Sequence, residues 1–172
     1  MESIKGTDDL PGEGPFGVFA FGSNLDLNDF TRWCRESLDA DPVIRPLCRA
    51  RLRDHALVWN YYSPVRQGGA ANIDHRPHSA VCGMVFEVDK WTLLALDKKE
   101  GHPARYRRER VVIESMDDDT SFEVWTYRVT PDYRESKLIP PTRAYLDIIL
   151  KGIESHGLPD QWRAEVLDSL PE

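Results

Sequence analysis

The sequence predicts a single domain of the α+β class. Segments with the spacing of amphipathic helices lie near both ends of the chain, and another lies between them. β-Branched and aromatic segments fill the middle, where two of them follow each other across a short acidic turn. A doubly wound sheet would need strands and helices to alternate regularly, so this uneven order favours α+β. No repeat or break in composition divides residues 16–172, which predicts one domain.

Composition and charge restrict the function classes. The chain has 172 residues, of which 41% are hydrophobic and 30% charged, as is ordinary for a globular protein. Its formal net charge of −7 argues against binding to nucleic acid, because phosphate contacts need clustered Lys and Arg. The arginines between positions 105 and 110 are interrupted by Glu109 and are interpreted as a solvated strand edge. No apolar run approaches the ~20 residues of a membrane span, which argues against a membrane partner.

Cysteine usage predicts the compartment. Three cysteines, irregularly spaced, do not form a disulfide framework: Cys34, Cys48 and Cys82. They are predicted to be free thiols in a reducing, cytoplasmic environment.

The first elements follow an N-terminal tail. Residues 1–15 are rich in Gly, Pro and Asp and lack periodicity, which predicts a flexible segment. Residues 18–21 form a short apolar strand. Residues 26–38 place apolar side chains at three- and four-residue steps and therefore predict an amphipathic helix. Ser23 and Asn24 are expected to cap that helix.

The middle of the chain predicts strands around a segment of small residues. Residues 43–60 alternate in polarity and predict one or two strands. Residues 61–74 contain Gly68, Gly69 and further small residues, which permit close backbone approach to a strand or a ligand, and we interpret this segment as a loop. Residues 80–88 predict a buried strand.

Clear start and stop signals define the second half. Residues 90–100 predict a helix that Asp89 caps and Gly101 ends. Residues 106–113 and 121–129 predict two strands around the acidic turn 117–119, which lacks the ligand spacing of a calcium loop. Two closing helices are predicted at residues 142–155 and 162–170.

The corner between the first strand and the first helix is a candidate anion site. Phe21-Gly22-Ser23-Asn24-Leu25 joins the two, and glycine allows the backbone to bend there. Backbone N–H groups at such a corner point in one direction and can hold an anion. An ordinary helix cap is the plainer alternative.

These five residues resemble a signature of the γ-glutamylcyclotransferase family, Tyr-Gly-Ser-Asn-Leu, with Phe21 in place of the first Tyr. Three later stretches agree in order and spacing: residues 96–101 around Glu100, then Tyr106, then residues 141–145 ending in Tyr145. The resemblance implies a mixed β-barrel of about five to seven strands flanked by helices. It also implies a small γ-glutamyl substrate and no cofactor.

The resemblance also implies a reaction and a role for each site residue. The α-amine of a γ-glutamyl group attacks its own γ-carbonyl, which forms 5-oxoproline and releases an amine or amino acid. Glu100 is the implied general acid/base, and its place in the last turn of a helix suits a carboxyl group that exchanges protons. Tyr106 and Tyr145 are implied to present hydroxyls to the substrate. Phe21 is implied to belong to the substrate-binding site, and the substrate-binding amides are implied to be those of Gly22, Ser23, Asn24 and Leu25.

Several alternatives stay open or are disfavoured at this point. His75, His78, Cys82 and Asp74 have a metal-like composition but no fixed ligand spacing, so no metal site is predicted. None of the cysteines has a neighbouring base that would make it a nucleophile. A non-catalytic binding module on the same barrel remains possible, because Phe21 lacks the hydroxyl of the family's tyrosine. The substrate can be a γ-glutamyl peptide, a γ-glutamyl amine or γ-glutamyl-ε-lysine, and the oligomeric state is not predicted.

Overall fold

Five strands in the described part of the chain, residues 12–172 of a computed structural model, close into a barrel. They are β1 (Phe16–Ala20), β2 (Ile44–Ser63), β3 (Gly68–Val88), β4 (Tyr106–Ser115) and β5 (Ser121–Val129). The order around the barrel is β1-β3-β2-β4-β5. Neighbours are antiparallel except β1 and β5, which pair in parallel at Val18 and Trp125. The predicted mixed barrel of the α+β class is confirmed.

Four α-helices flank the barrel within the same residues: α1 (Leu27–Leu38), α2 (Lys90–Glu100), α3 (Arg143–Ser155) and α4 (Asp160–Asp168). Helix α2 has its predicted bounds, because Asp89 accepts a hydrogen bond from the Thr92 amide at 2.8 Å and Gly101 ends the helix at φ 69°. No helix within residues 12–172 is long and apolar enough to cross a membrane.

The predicted caps of α1 are wrong. Asp26 is the N-cap, and its carboxylate accepts from the Asn28 amide at 3.0 Å. Ser23 and Asn24 lie instead in a separate 3₁₀ turn, Ser23–Leu25, between β1 and α1. Their side chains are therefore not occupied by a helix terminus.

The segment interpreted as a loop, residues 61–74, lies mostly in strands. The turn between β2 and β3 is confined to residues 64–67, and the two strands have 20 and 21 residues. Small residues usually indicate a loop, but here they make room for a segment that packs across the strand. A Cβ at Gly69 would lie 1.9 Å from the Ile139 carbonyl oxygen. Close backbone approach, which was predicted, is present, and it brings the segment before α3 onto the sheet.

The predicted flexible tail falls largely outside the described residues, since the structure describes the chain from residue 12. Within the described part of that tail, Glu13 pairs with Lys90 at 3.0 Å. The apolar core fills the barrel and the surface beneath the helices, with Phe19, Trp59 and Ile73 among its fully buried side chains. Strand β1 is therefore buried on both of its faces. The 3₁₀ turn that follows it begins directly at the core.

Candidate active site

The residues predicted to form a site lie around one cleft. It has a volume of about 600 Å³ and is bordered by α1, the β2–β3 turn and the end of α2, with Ser23, Glu100, Tyr106 and Tyr145 in its wall. A smaller cavity of about 40 Å³ shares those four residues. It is lined in addition by Phe21, Gly22 and Asn24. Glu100 and the turn after β1 therefore face the same space, although 75 residues or more separate them in sequence.

Glu100 is the last residue of α2 and has a defined orientation. The side-chain amide of Asn24 donates to its Oε1 at 2.8 Å. Gly101 follows in the left-handed region, which turns the chain away and leaves the carboxylate at the cleft. Asn24 therefore fixes one oxygen of the Glu100 carboxylate, while the carboxylate still borders the cleft.

Tyr106 and Tyr145 are joined through the backbone of Ala71 in β3. Tyr106 donates its hydroxyl proton to the Ala71 carbonyl at 2.8 Å, and the Tyr145 oxygen accepts from the Ala71 amide at 3.1 Å. Burial raises the pKa of Tyr145 to about 12 and holds the pKa of Tyr106 well above its usual range. Both hydroxyls are therefore protonated at neutral pH, and Tyr145 keeps a proton that it can donate.

The 3₁₀ turn presents fewer amides than the sequence implied. The Leu25 amide already donates to the Gly22 carbonyl at 3.1 Å, and the Leu25 side chain is fully buried. Among the described residues, the amides of Gly22, Ser23 and Asn24 have no backbone acceptor. These three N–H groups can bind an anion, whereas Leu25 holds the turn in place.

Phe21 uses its ring for packing. The side chain is buried, lies 6.3 Å from the ring of Phe19 and borders the smaller cavity. An aromatic ring at this position fills the base of the site irrespective of a hydroxyl.

Three charged residues that the sequence analysis did not single out enter the site. Lys99 donates to the Asn24 side-chain oxygen at 2.6 Å, and its side chain is only 8% exposed. Its ammonium lies 3.9 Å from Asp29 in α1, and Asp29 in turn accepts from Arg66 of the β2–β3 turn at 2.9 Å. Neighbouring lysines at positions 98 and 99 indicate a solvated helix face, so only the tertiary structure identifies this network.

A second charged cluster fixes α2 to the barrel. Asp97 forms an ion pair with Arg108 of β4 and accepts from the Tyr127 hydroxyl of β5 at 2.7 Å. The interpretation of residues 105–110 as a solvated edge is wrong for Arg108, which is 3% exposed. The cause is the contact with α2, whose Asp97 supplies the counter-charge.

Metal ligation and thiol chemistry are the two other kinds of chemistry considered for the described residues, 12–172. There, no group of three or more His, Cys, Asp or Glu side chains is placed to hold a metal ion. Burial raises the pKa of Cys34 to about 11 and raises the pKa of Cys48 and Cys82 as well. At neutral pH these groups are thiols, which are weak nucleophiles.

The chain is similar to a known protein family and to named proteins of other organisms. A model of the AIG2-like family matches residues 80–165, half of the 172-residue chain. The human protein named gamma-glutamylcyclotransferase is 29% identical over 164 residues, covering 91% of this chain and 79% of that one. The Bos taurus protein of the same name is 28% identical over 155 residues, covering 88% and 77%.

Solved structures give the same result. One named gamma-glutamyl cyclotransferase superposes with a TM-score of 0.74 at 27% identity, covering 91% of this chain and 88% of the other. YkqA from Bacillus subtilis superposes with a TM-score of 0.73 over 92% of this chain and 56% of its own, at 22% identity, a likeness of fold alone. The resemblance found in the sequence is confirmed at the level of family and fold.

Proposed function

The chain belongs to the AIG2-like family, and on that premise we propose that it is a γ-glutamylcyclotransferase. The observation that carries the proposal is the Glu100 carboxylate, held by Asn24 at 2.8 Å in a cleft that also contains two protonated tyrosines. The substrate is a γ-glutamyl group linked to an amine or amino acid. The products are 5-oxoproline and the released amine.

Ring closure needs two proton transfers at one place. The substrate's α-ammonium loses a proton to Glu100, and the resulting amine attacks the γ-carbonyl carbon of the same molecule. Glu100 then returns the proton to the leaving nitrogen as the γ-amide bond breaks, and the nitrogen of the new ring gives up its second proton to the released amine. Attacking and leaving groups belong to one substrate, so the protein mainly has to fold it and exchange the proton.

Hydrogen-bond polarity suggests how the substrate is held. The proton of Tyr106 is committed to Ala71, so its oxygen is suited to accept from the substrate's α-ammonium. Tyr145 and the amides of Gly22, Ser23 and Asn24 have protons to donate, which suits the α-carboxylate or the oxyanion formed at the γ-carbonyl.

The outer wall of the cleft favours a released group that carries a carboxylate. Arg105 lies there beside Tyr61, is exposed, and forms no ion pair with another of the described residues. A guanidinium that has no carboxylate partner attracts the carboxylate of a ligand and repels an ammonium. Among the three substrate types considered, we therefore expect γ-glutamyl amino acids and peptides to be preferred over γ-glutamyl amines.

The test is a panel of γ-glutamyl compounds with detection of 5-oxoproline by mass spectrometry. We expect the wild-type protein to form it, with higher kcat/KM for γ-glutamyl amino acids than for γ-glutamyl amines. Glu100→Gln should lower kcat about 10²- to 10⁴-fold with little change in substrate affinity, because it removes the proton carrier and keeps the shape. Exposed Glu135→Gln serves as the matched control.

Two results would contradict the proposal. Near-full turnover by Glu100→Gln would remove Glu100 from the chemistry. Tight binding of a γ-glutamyl compound without 5-oxoproline from any member of the panel would indicate the non-catalytic binding module instead.

A further inference from the structure

Lys99 occupies an unusual position for a lysine beside the candidate catalytic carboxylate. Its ammonium lies 2.6 Å from Asn24 Oδ1 and 3.4 Å from the Ser23 hydroxyl, and Asn24 Nδ2 lies 2.8 Å from Glu100 Oε1. The two neighbours at the end of α2 therefore hold opposite ends of one amide.

The chemistry of the three groups fixes which way the amide points. A lysine ammonium can only donate hydrogen bonds, so the oxygen of Asn24 must face Lys99. The NH₂ end of Asn24 must then face Glu100, where an ionised carboxylate can only accept. Without the ammonium, only Glu100 directs the amide, and when the carboxyl group takes up a proton the amide can rotate by 180° and accept from it.

We propose that Lys99 is a positioning residue that sets the Asn24 amide and through it orients the Glu100 carboxylate. This role rests on the proposed function for its catalytic consequence, whereas the orientation itself is a property of the folded protein. Lys99 does not touch the reacting atoms in this role; it acts through Asn24.

Burial lowers the pKa of Lys99 overall, and its anionic neighbours offset part of that effect. Those neighbours are Glu100 on α2 and Asp29 on α1, which raise the pKa. Arg66 of the β2–β3 turn opposes them, and the Cys34 thiol on α1 also faces the group. The Phe30 ring lies 5.8 Å from the Lys99 nitrogen and adds a cation–π contact.

The kinetic test compares Lys99→Met, Asn24→Ala and the double variant. Methionine matches the length of the lysine stem and is tolerated in a buried position, so the fold is expected to survive. Lys99→Met should lower kcat about 10- to 100-fold with KM within about twofold, since the carboxylate is misdirected but the binding groups remain. In the Asn24→Ala background the same change should have almost no further effect on kcat.

Lys137→Met is the control, because it removes the same group from an exposed position that does not line the cleft. It should leave kcat unchanged. The proposal would be overturned if Lys99→Met lowered kcat by the same factor in the wild type and in the Asn24→Ala background. Such a result would show that Lys99 does not act through the Asn24 amide.

A second measurement does not depend on activity. The ¹⁵N-labelled NH₂ group of Asn24, assigned by its disappearance in Asn24→Ala, should shift in NMR spectra of Lys99→Met and of Glu100→Gln, and should stay unchanged in Lys137→Met. An Asn24 NH₂ signal that Lys99→Met leaves in place would overturn the inference. A wild-type protein inactive on the whole panel but with the expected shifts would instead contradict the proposed function and leave the orientation established.

Discussion

At the scale of single residues, the site depends on groups that can only donate or only accept. The Ala71 amide donates to Tyr145, and the Ala71 carbonyl accepts from Tyr106. Tyr145 is therefore left with a proton to donate, whereas Tyr106 is left with an oxygen that can accept. Lys99 and Glu100 impose the same order on Asn24. Polarity is thus assigned by fixed partners before a substrate binds, as electrostatic stabilisation of a transition state requires.

Asp97 contributes to the placement of Glu100, because it lies one helical turn earlier and is anchored in the barrel. Asp97→Asn keeps the shape but removes the charge opposite Arg108, whose side chain is fully buried. We expect a loss of about 3–5 kcal/mol in the free energy of unfolding, the usual effect of breaking a buried pair. Urea denaturation at pH 7 measures it.

The control for Asp97 is Asp168→Asn on α4, where the side chain is exposed. That change should stay within about 0.5 kcal/mol of the wild type. Similar small losses for both variants would mean that the charge of Asp97 is not needed to hold α2 on the barrel.

At the scale of elements, α3 carries the 3₁₀ turn. Gly152 allows the contact, since a Cβ there would lie 2.5 Å from the Leu25 Cβ and 3.0 Å from the Leu25 carbonyl carbon. His156 at the end of α3 also bonds to the Leu25 carbonyl at 2.7 Å. The position of Asn24 relative to Glu100 is therefore set by the packing of a helix that lies more than a hundred residues later.

Gly152→Ala should separate the helix from the turn. The added methyl group meets backbone that cannot rotate away, and overpacking of this kind costs about 1–3 kcal/mol. We expect kcat for 5-oxoproline formation to fall as well, because the turn moves with its amides and Asn24. Thermal unfolding and a kinetic assay on the same preparation measure the two effects.

Glu154→Ala is the matched control on α3, being exposed two residues away. Unchanged stability and turnover in Gly152→Ala would show that the turn adapts, and that α3 does not determine the geometry of the site.

Elements with local signals could be predicted from the sequence, and elements set by tertiary contacts could not. The ends of α2 followed from Asp89 and Gly101, whose capping is a property of a few adjacent residues. Residues 61–74 were predicted to be a loop, but most of them lie in strands. Their side chains are small because a chain segment about 70 residues away packs against them. The intrinsic β propensity of a residue does not depend on whether a distant segment packs against it, so it could not predict this contact.

At the scale of the whole molecule, the barrel brings together residues from every part of the chain. Ser23, Arg66, Lys99 and Tyr145 border one cleft although they lie in four separate segments. The family motifs identified the residues that resemble the signature, including Glu100. They gave no indication of Lys99, Asp29 or Arg66, since a network of that kind becomes visible only when α1, α2 and the β2–β3 turn are packed.

Several tyrosines are buried in this fold, and their burial makes the free energy of unfolding depend on pH in the alkaline range. Burial raises the pKa of Tyr145 to about 12, and raises the pKa of Tyr106 and Tyr127 well above the usual value. In the unfolded chain these groups ionise near pH 10. Above that pH the folded state binds more protons than the unfolded state, so stability falls as pH rises. The stabilisation is complete below pH ~10 and is lost towards the folded-state values.

Tyr145→Phe isolates one contribution to this fall. The variant loses the bond to the Ala71 amide and should be less stable at every pH, but its free energy of unfolding should decline less between pH 8 and pH 11. For a pKa that moves from about 10 to about 12, the difference in decline is about 1.4 kcal/mol at pH 11. Urea denaturation at both pH values measures it, with Tyr62→Phe as an exposed control that should decline in parallel with the wild type. A Tyr145→Phe curve parallel to the wild type would show that this hydroxyl ionises equally well in the folded and unfolded states, and that burial at the base of the cleft does not exclude water from it.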